Sequence, residues 1–102
     1  MIVQQQTLQH RWGEEIIWAK TERYAAKFLK IKDNMKLDKQ FHNHKEETVY
    51  VLYGTLVIQI GESEEVVLKK GQSYHISPGV IHRYCSKFGE VDVIVASNSE
   101  LE

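Results

Sequence analysis

Four side chains of this sequence have the types and spacing to hold a divalent cation: His42, His44, Glu47 and His82. Residues two apart on a strand point to the same face, about 6.5 to 7 Å apart along the chain, so the imidazoles of His42 and His44 could meet one ion at roughly 2.0 to 2.1 Å. By itself the pair is weak, since a chain with five histidines can carry a His-x-His as surface decoration. The continuation strengthens it: Glu47 stands three residues beyond His44 and seven before Gly54, which delivers a carboxylate beside the imidazoles. Glu47 is out of strict alternation with His44, so a bend or bulge is required between them, and Glu46 is the in-register competitor. The spacing back from Gly54 favours Glu47. A third imidazole comes from the segment GQSYHISPGVIH, where Pro78-Gly79 makes a turn and His82 lies at the start of the next strand. Three neutral imidazoles and one carboxylate leave a divalent ion with net positive charge and one or two open positions, a catalytic type of site.

Strands must position these ligands. The runs Thr48 to Tyr53, Thr55 to Ile60 and Val91 to Ala96 are short and rich in β-branched and aromatic residues. Glu14 to Lys20 and Tyr24 to Ile31 read as two more strands, although their good helix formers leave a helix over this region as the alternative. Gly54, Gly61, Gly71, Gly79 and Gly89 punctuate the second half at the rhythm of an all-β sandwich or barrel. Asp33-Asn34-Met35 is expected to turn the chain into a His-containing strand, with Asn34 able to take positive φ.

Composition excludes several classes of function. The 102 residues suit one domain, 1-102, and 13 basic against 14 acidic residues are interleaved without a basic run, which argues against nucleic acid as partner. Cys85 stands alone, so no internal disulfide can form, and it reads as a small buried apolar residue. No stretch approaches the roughly 18 apolar residues of a membrane span, and the first residues, MIVQQQT, do not resemble a signal peptide. A soluble cytoplasmic protein is the expectation.

HNHKEETVYVLYGT resembles the first motif of the cupin family, and GQSYHISPGVIHR resembles the second. The first is most similar to the C-terminal cupin domain of type II mannose-6-phosphate isomerases, in which a Gln precedes the His-x-His, a basic residue follows it, and a Glu comes two residues later; Gln40, Lys45 and Glu47 fill those places. Arg11-Trp12-Gly13 resembles that family's N-terminal signature, and Val80-Ile81-His82-Arg83 its ending of the second motif. The similarity runs from about residue 11 to residue 97 and includes no nucleotidyltransferase domain. Ser77 replaces a proline common in the second motif, and Ser86 an asparagine; neither position is a ligand in the family.

The resemblance implies a small antiparallel β-barrel, the double-stranded β-helix or jelly roll, holding one divalent metal ion (Zn, Mn, Fe or Ni) through His42, His44, Glu47 and His82. It implies an isomerase-like activity on a sugar or sugar phosphate, with enediolate chemistry at the ion. Such a reaction needs a base, for which Glu46 and His75 are candidates, and a phosphate anchor, for which Lys45 and Arg83 are. Gln40 shares the face of His42 and His44 and is a substrate contact or a buried amide; Tyr84 is a further candidate substrate contact. His10 reads as exposed. Trp12, Trp18, Tyr24 and Tyr50 could stack on a sugar but fit core or subunit interface better, and a homodimer is expected. Two other classes share the donor set: an iron-dependent dioxygenase, and a non-catalytic metal-dependent small-molecule sensor.

Overall fold

Nine strands, all paired antiparallel, build the molecule in a computed structural model that describes residues 1–99. In chain order they are β1 (Gln6–His10), β2 (Gly13–Lys20), β3 (Tyr24–Ile31), β4 (Glu47–Tyr53), β5 (Thr55–Ile60), β6 (Glu64–Lys69), β7 (Ser73–Ile76), β8 (His82–Cys85) and β9 (Val91–Asn98). A six-stranded sheet runs β1-β2-β3-β9-β4-β7 and a three-stranded sheet runs β6-β5-β8. This is the jelly-roll architecture expected from the sequence. Among the described residues there is no helix, so the alternative for residues 14 to 31 falls to β2 and β3. No helix among them is long and apolar enough to cross a membrane.

Alternation explains the core. Leu29, Ile31, Val49, Val51, Val91, Val93 and Val95 project from the large sheet toward Leu56, Ile58, Leu68 and Tyr84 of the small one, and all are buried. Gly54 joins β4 to β5 at φ 82, and a Cβ there would meet the Glu90 carbonyl oxygen at 2.2 Å, so only glycine fits this turn. Asn34 adopts φ 59, as its turn position requires.

Two strands were not expected from the sequence. β1 has little apolar alternation and is held by its register with β2, from Gln6↔Ile17 to His10↔Gly13. β6 opens with two glutamates and buries only Leu68 fully. The expected His-containing strand is corrected as well. Residues 34 to 40 run beside β8 through isolated bridges, Lys36↔Cys85 and Gln40↔His82, and residues 41 to 46 lie outside the strands. Ladder pairing ends at Gln40, whose N–H donates to the His82 carbonyl at 2.8 Å and whose carbonyl accepts from the His82 N–H at 3.0 Å; beyond it Gly79 N–H donates to the His42 carbonyl at 2.7 Å, and Asn98 bonds the backbone of His44 and Glu46.

Candidate metal centre

Glu47 opens β4 with its side chain 4% exposed, and His82 opens β8 at 2%. The two strands belong to different sheets, and their inward faces bring Glu47 Oε1 to 3.6 Å from His82 Nε2. At that separation the contact is too long for a hydrogen bond. The other carboxylate oxygen, Oε2, accepts a 2.5 Å hydrogen bond from the Tyr84 hydroxyl, two residues along β8 on the same face. Burial alone would push the Glu47 carboxyl up, but the His82 ring, the Tyr84 hydroxyl and the Lys45 charge outweigh it and hold the group at about 2. His82 is likewise pulled down by burial and raised on balance by Glu47 and the Val80 carbonyl. Burial and the adjacent Glu47 charge push the Tyr84 phenol well above its ordinary value.

The His82 ring is fixed in a way that prepares one nitrogen. Its Nδ1 lies 2.9 Å from the Val80 carbonyl oxygen, which can only accept, so Nδ1 carries the proton and Nε2 is left facing Glu47. His82 Nε2 is buried and has no hydrogen-bond partner.

The other proposed ligands stand differently. The His42 ring is 6.3 Å from that of His82, centroid to centroid, and its Nε2 lies 3.2 Å from Gln40 Oε1. His44 is exposed on a bend, and its carbonyl accepts from Asn98 Nδ2 at 3.2 Å. Among the described residues no three His, Cys, Asp or Glu side chains stand close enough to hold an ion together. The chain bends at Asn43-His44, and residues 45 and 46 lead irregularly into β4 at Glu47. Glu46, by contrast, is exposed, with its backbone N–H bonded to Asn98 Oδ1 at 2.8 Å.

Beside Glu47 a cavity of about 210 Å3 opens between the sheets, with Leu29, Leu37 and Val95 among its lining residues. Of the sequence candidates it receives Gln40, Lys45, Glu47 and Tyr84. It does not receive Arg83, Glu46 or His75. Arg83 alternates away from His82 and Tyr84 on β8; Glu46 and His75 line a separate depression, where His75 Nδ1 bonds the Thr48 hydroxyl at 3.0 Å. The cavity wall contains residues that sequence reasoning passed over: His10, Glu15 and Lys27, from β1, β2 and β3. His10, expected to be merely exposed, stacks on Trp12 at 4.5 Å with the planes 9° apart and bonds Glu15 Oε1 through Nε2 at 2.8 Å. Lys27 Nζ holds the other oxygen of Glu15 at 2.9 Å. A larger depression, about 400 Å3, lies around Gly13, Lys30 and Tyr53, and no imidazole lines it.

The sequence profile of the cupin domain matches residues 34–96, more than half of the chain and the stretch that holds both motifs. This chain belongs to the cupin family. An RmlC-like cupin from Shewanella frigidimarina superposes with TM-score 0.82 at 17% identity, covering 97% of this chain and 87% of that one. KdgF from Halomonas sp. gives 0.77 at 18% identity, covering 87% and 80%, and the hydroxypropylphosphonic acid epoxidase from S. wedmorenis gives 0.79 at 17%, covering 94% and 56%. No curated protein matches the sequence. At these identities the likeness to solved structures shows the fold alone, and this fold carries more than one chemistry.

Proposed function

We propose that this cupin binds one divalent metal ion through His42, His44, Glu47 and His82 and acts on a small sugar-like molecule, with isomerisation of a sugar or sugar phosphate as the reaction. The observation that carries the metal reading is His82 Nε2, a buried nitrogen with no hydrogen-bond partner, facing an ionised carboxylate. Leaving such a nitrogen unsatisfied costs about 1 to 3 kcal/mol, and a cation between it and Glu47 would satisfy both. Zinc, manganese, iron and nickel all suit three imidazoles and a carboxylate. His42 and His44 would complete the set from the adjoining segment, residues 41 to 46, which lies outside the strands.

When bound, the ion supplies Lewis acidity toward the carbonyl and hydroxyl oxygens of an open-chain sugar. The chain's own residues supply the rest. Tyr84 fixes the orientation of Glu47. Leu29, Leu37 and Val95 exclude water from the cavity floor. Glu15, tethered by Lys27, accepts the His10 Nε2–H, which leaves Nδ1 as the ring nitrogen able to accept a proton. The placement of Glu46 and His75 outside the cavity makes His10 the stronger nominee for the base.

The test is metal content and turnover together. Purified protein is expected to carry about one equivalent of a divalent ion, H82A to lose it, and mannose 6-phosphate and fructose 6-phosphate to interconvert. Absence of metal binding by calorimetry with all four ions would overturn the reading. Oxygen uptake by the iron-loaded protein would shift it to a dioxygenase, and binding without conversion across a sugar-phosphate panel to a sensor. Sedimentation velocity checks the homodimer expected of the chain.

A further inference from the structure

A β-bulge in β2 moves the exposed Lys20 onto the strand face that looks between the two sheets. Ile17 pairs with Lys27 but Ala19 pairs with Ala26, so Trp18 is the extra residue. Without the bulge Lys20 would alternate outward with Ile16; with it, Lys20 pairs with Ala25 and shares its inward face. Bulges that turn a side chain in this way are over-represented next to functional sites.

The row that Lys20 joins leads straight to the metal centre. Lys20 pairs with Ala25, Ala25 with Ser97, and Ser97 with Glu47, one inward-facing residue on each of four adjacent strands. Three strand spacings put the Cα atoms of Lys20 and Glu47 about 14 Å apart. Between them the side chains are small, and a cavity of about 300 Å3 results, rimmed by Lys20, Lys27 and Lys45. Lys27, Lys45 and Ser97 line both it and the cavity beside Glu47, so the two are neighbours. Among the described residues no acidic side chain lines it. Glu15 neutralises Lys27 from the neighbouring cavity, and among the described residues Lys20 and Lys45 are the other charged side chains of the lining.

We propose that Lys20, Lys27 and Lys45 form an oxyanion subsite for the phosphate or carboxylate end of an extended small substrate whose other end reaches Glu47 and His82. The inference rests on the metal-centre reading for the second half of that sentence only. It replaces Arg83 as the anchor, since Arg83 lines neither cavity.

The experiment is an amide-resolved NMR titration of the full chain in metal-free buffer, with inorganic phosphate and, separately, acetate. Saturable shifts are expected at Ala25, Lys27, Ser97 and Ser99. The double variant K20A/K45A should weaken binding about tenfold or more, and R83A should stay within about twofold. Saturation by phosphate, by acetate or by both identifies the oxyanion and supports the subsite in each case. Shifts scattered over surface lysines without saturation, or an unchanged affinity in K20A/K45A, would overturn it. A parallel zinc titration separates the two readings. Loss of zinc but not phosphate binding in H82A supports both, whereas a wild type that binds phosphate and no divalent ion refutes the metal centre and leaves the subsite standing.

Discussion

Replacing Tyr84 with phenylalanine removes one oxygen from the interior and tests the logic of the centre at two levels. Tyr84 is 1% exposed and Glu47 4%, and their 2.5 Å hydrogen bond has an ionised acceptor. A hydrogen bond to a charged group contributes about 1.5 to 3 kcal/mol, and here its loss strands a buried carboxylate that no water reaches easily. We therefore expect Y84F to destabilise the metal-free protein by about 2 kcal/mol, or about 8 to 16 °C in Tm for a domain of this size. Urea denaturation at neutral pH measures the first value and calorimetry the second. A double-mutant cycle with E47Q should return a coupling of about 1 to 2 kcal/mol, because the two groups act on each other directly. Tyr84 also positions Glu47 for a cation, so Y84F should weaken divalent metal binding about 10- to 100-fold. A loss of stability under about 0.5 kcal/mol with zero coupling would show that the bond does not hold Glu47, and the argument for a pre-oriented ligand would fail with it.

Three further outcomes follow from local geometry. Burial raises the Glu15 carboxyl, but Lys27 and His10 outweigh it and hold the group below its ordinary 4.5. Its contribution to stability is thus present above pH 4.5 and lost as pH falls through the lower folded value, so E15Q should flatten the acid limb of the urea midpoint plotted against pH. G54A should cost more than about 2 kcal/mol, because its Cβ would strike the Glu90 carbonyl, whereas G61A, at φ 62 with open space around it, should cost only about 1 kcal/mol; chemical denaturation ranks them. The fully buried Ser86 hydroxyl donates to the Lys32 carbonyl at 2.5 Å and accepts from Met35 N–H at 2.8 Å, so S86A should destabilise by about 1 to 2 kcal/mol in the same assay.

What the sequence disclosed divides along physical lines. The bounds of β3 were readable because Tyr24 to Ile31 is a largely apolar and aromatic run whose length suits a strand. β4, β5 and β9 followed from dense β-branched runs between glycines. β1 was not readable, since QTLQH has one large apolar residue and forms by pairing with a neighbour whose place only the fold decides. The His-x-His segment failed for the converse reason: its alternation suited a strand, but the backbone partner it needed runs out at the Gln40↔His82 bridge.

The candidate site splits in the same way. Glu47 over Glu46 came from spacing, and the structure places the first in the interior and the second in solvent. The wall formed by His10, Glu15 and Lys27 required knowing which strands lie side by side, and sequence distance hides that. One local signal was present: Glu15 and Lys27 are charged residues at inward positions, between Gly13 and Ile17 and between Ala25 and Leu29, where a packed interior would take apolar ones. A charge at such a position is costly unless it is paired, and these two pair with each other at 2.9 Å across adjacent strands. Lys20 gave no such signal, because its place on that face depends on a one-residue slip at Trp18 that no periodicity announces. The residues that make the cavity polar are therefore those whose local pattern conflicts with burial or is broken by a bulge. Conflicts of this kind are where a fold gives up packing for chemistry.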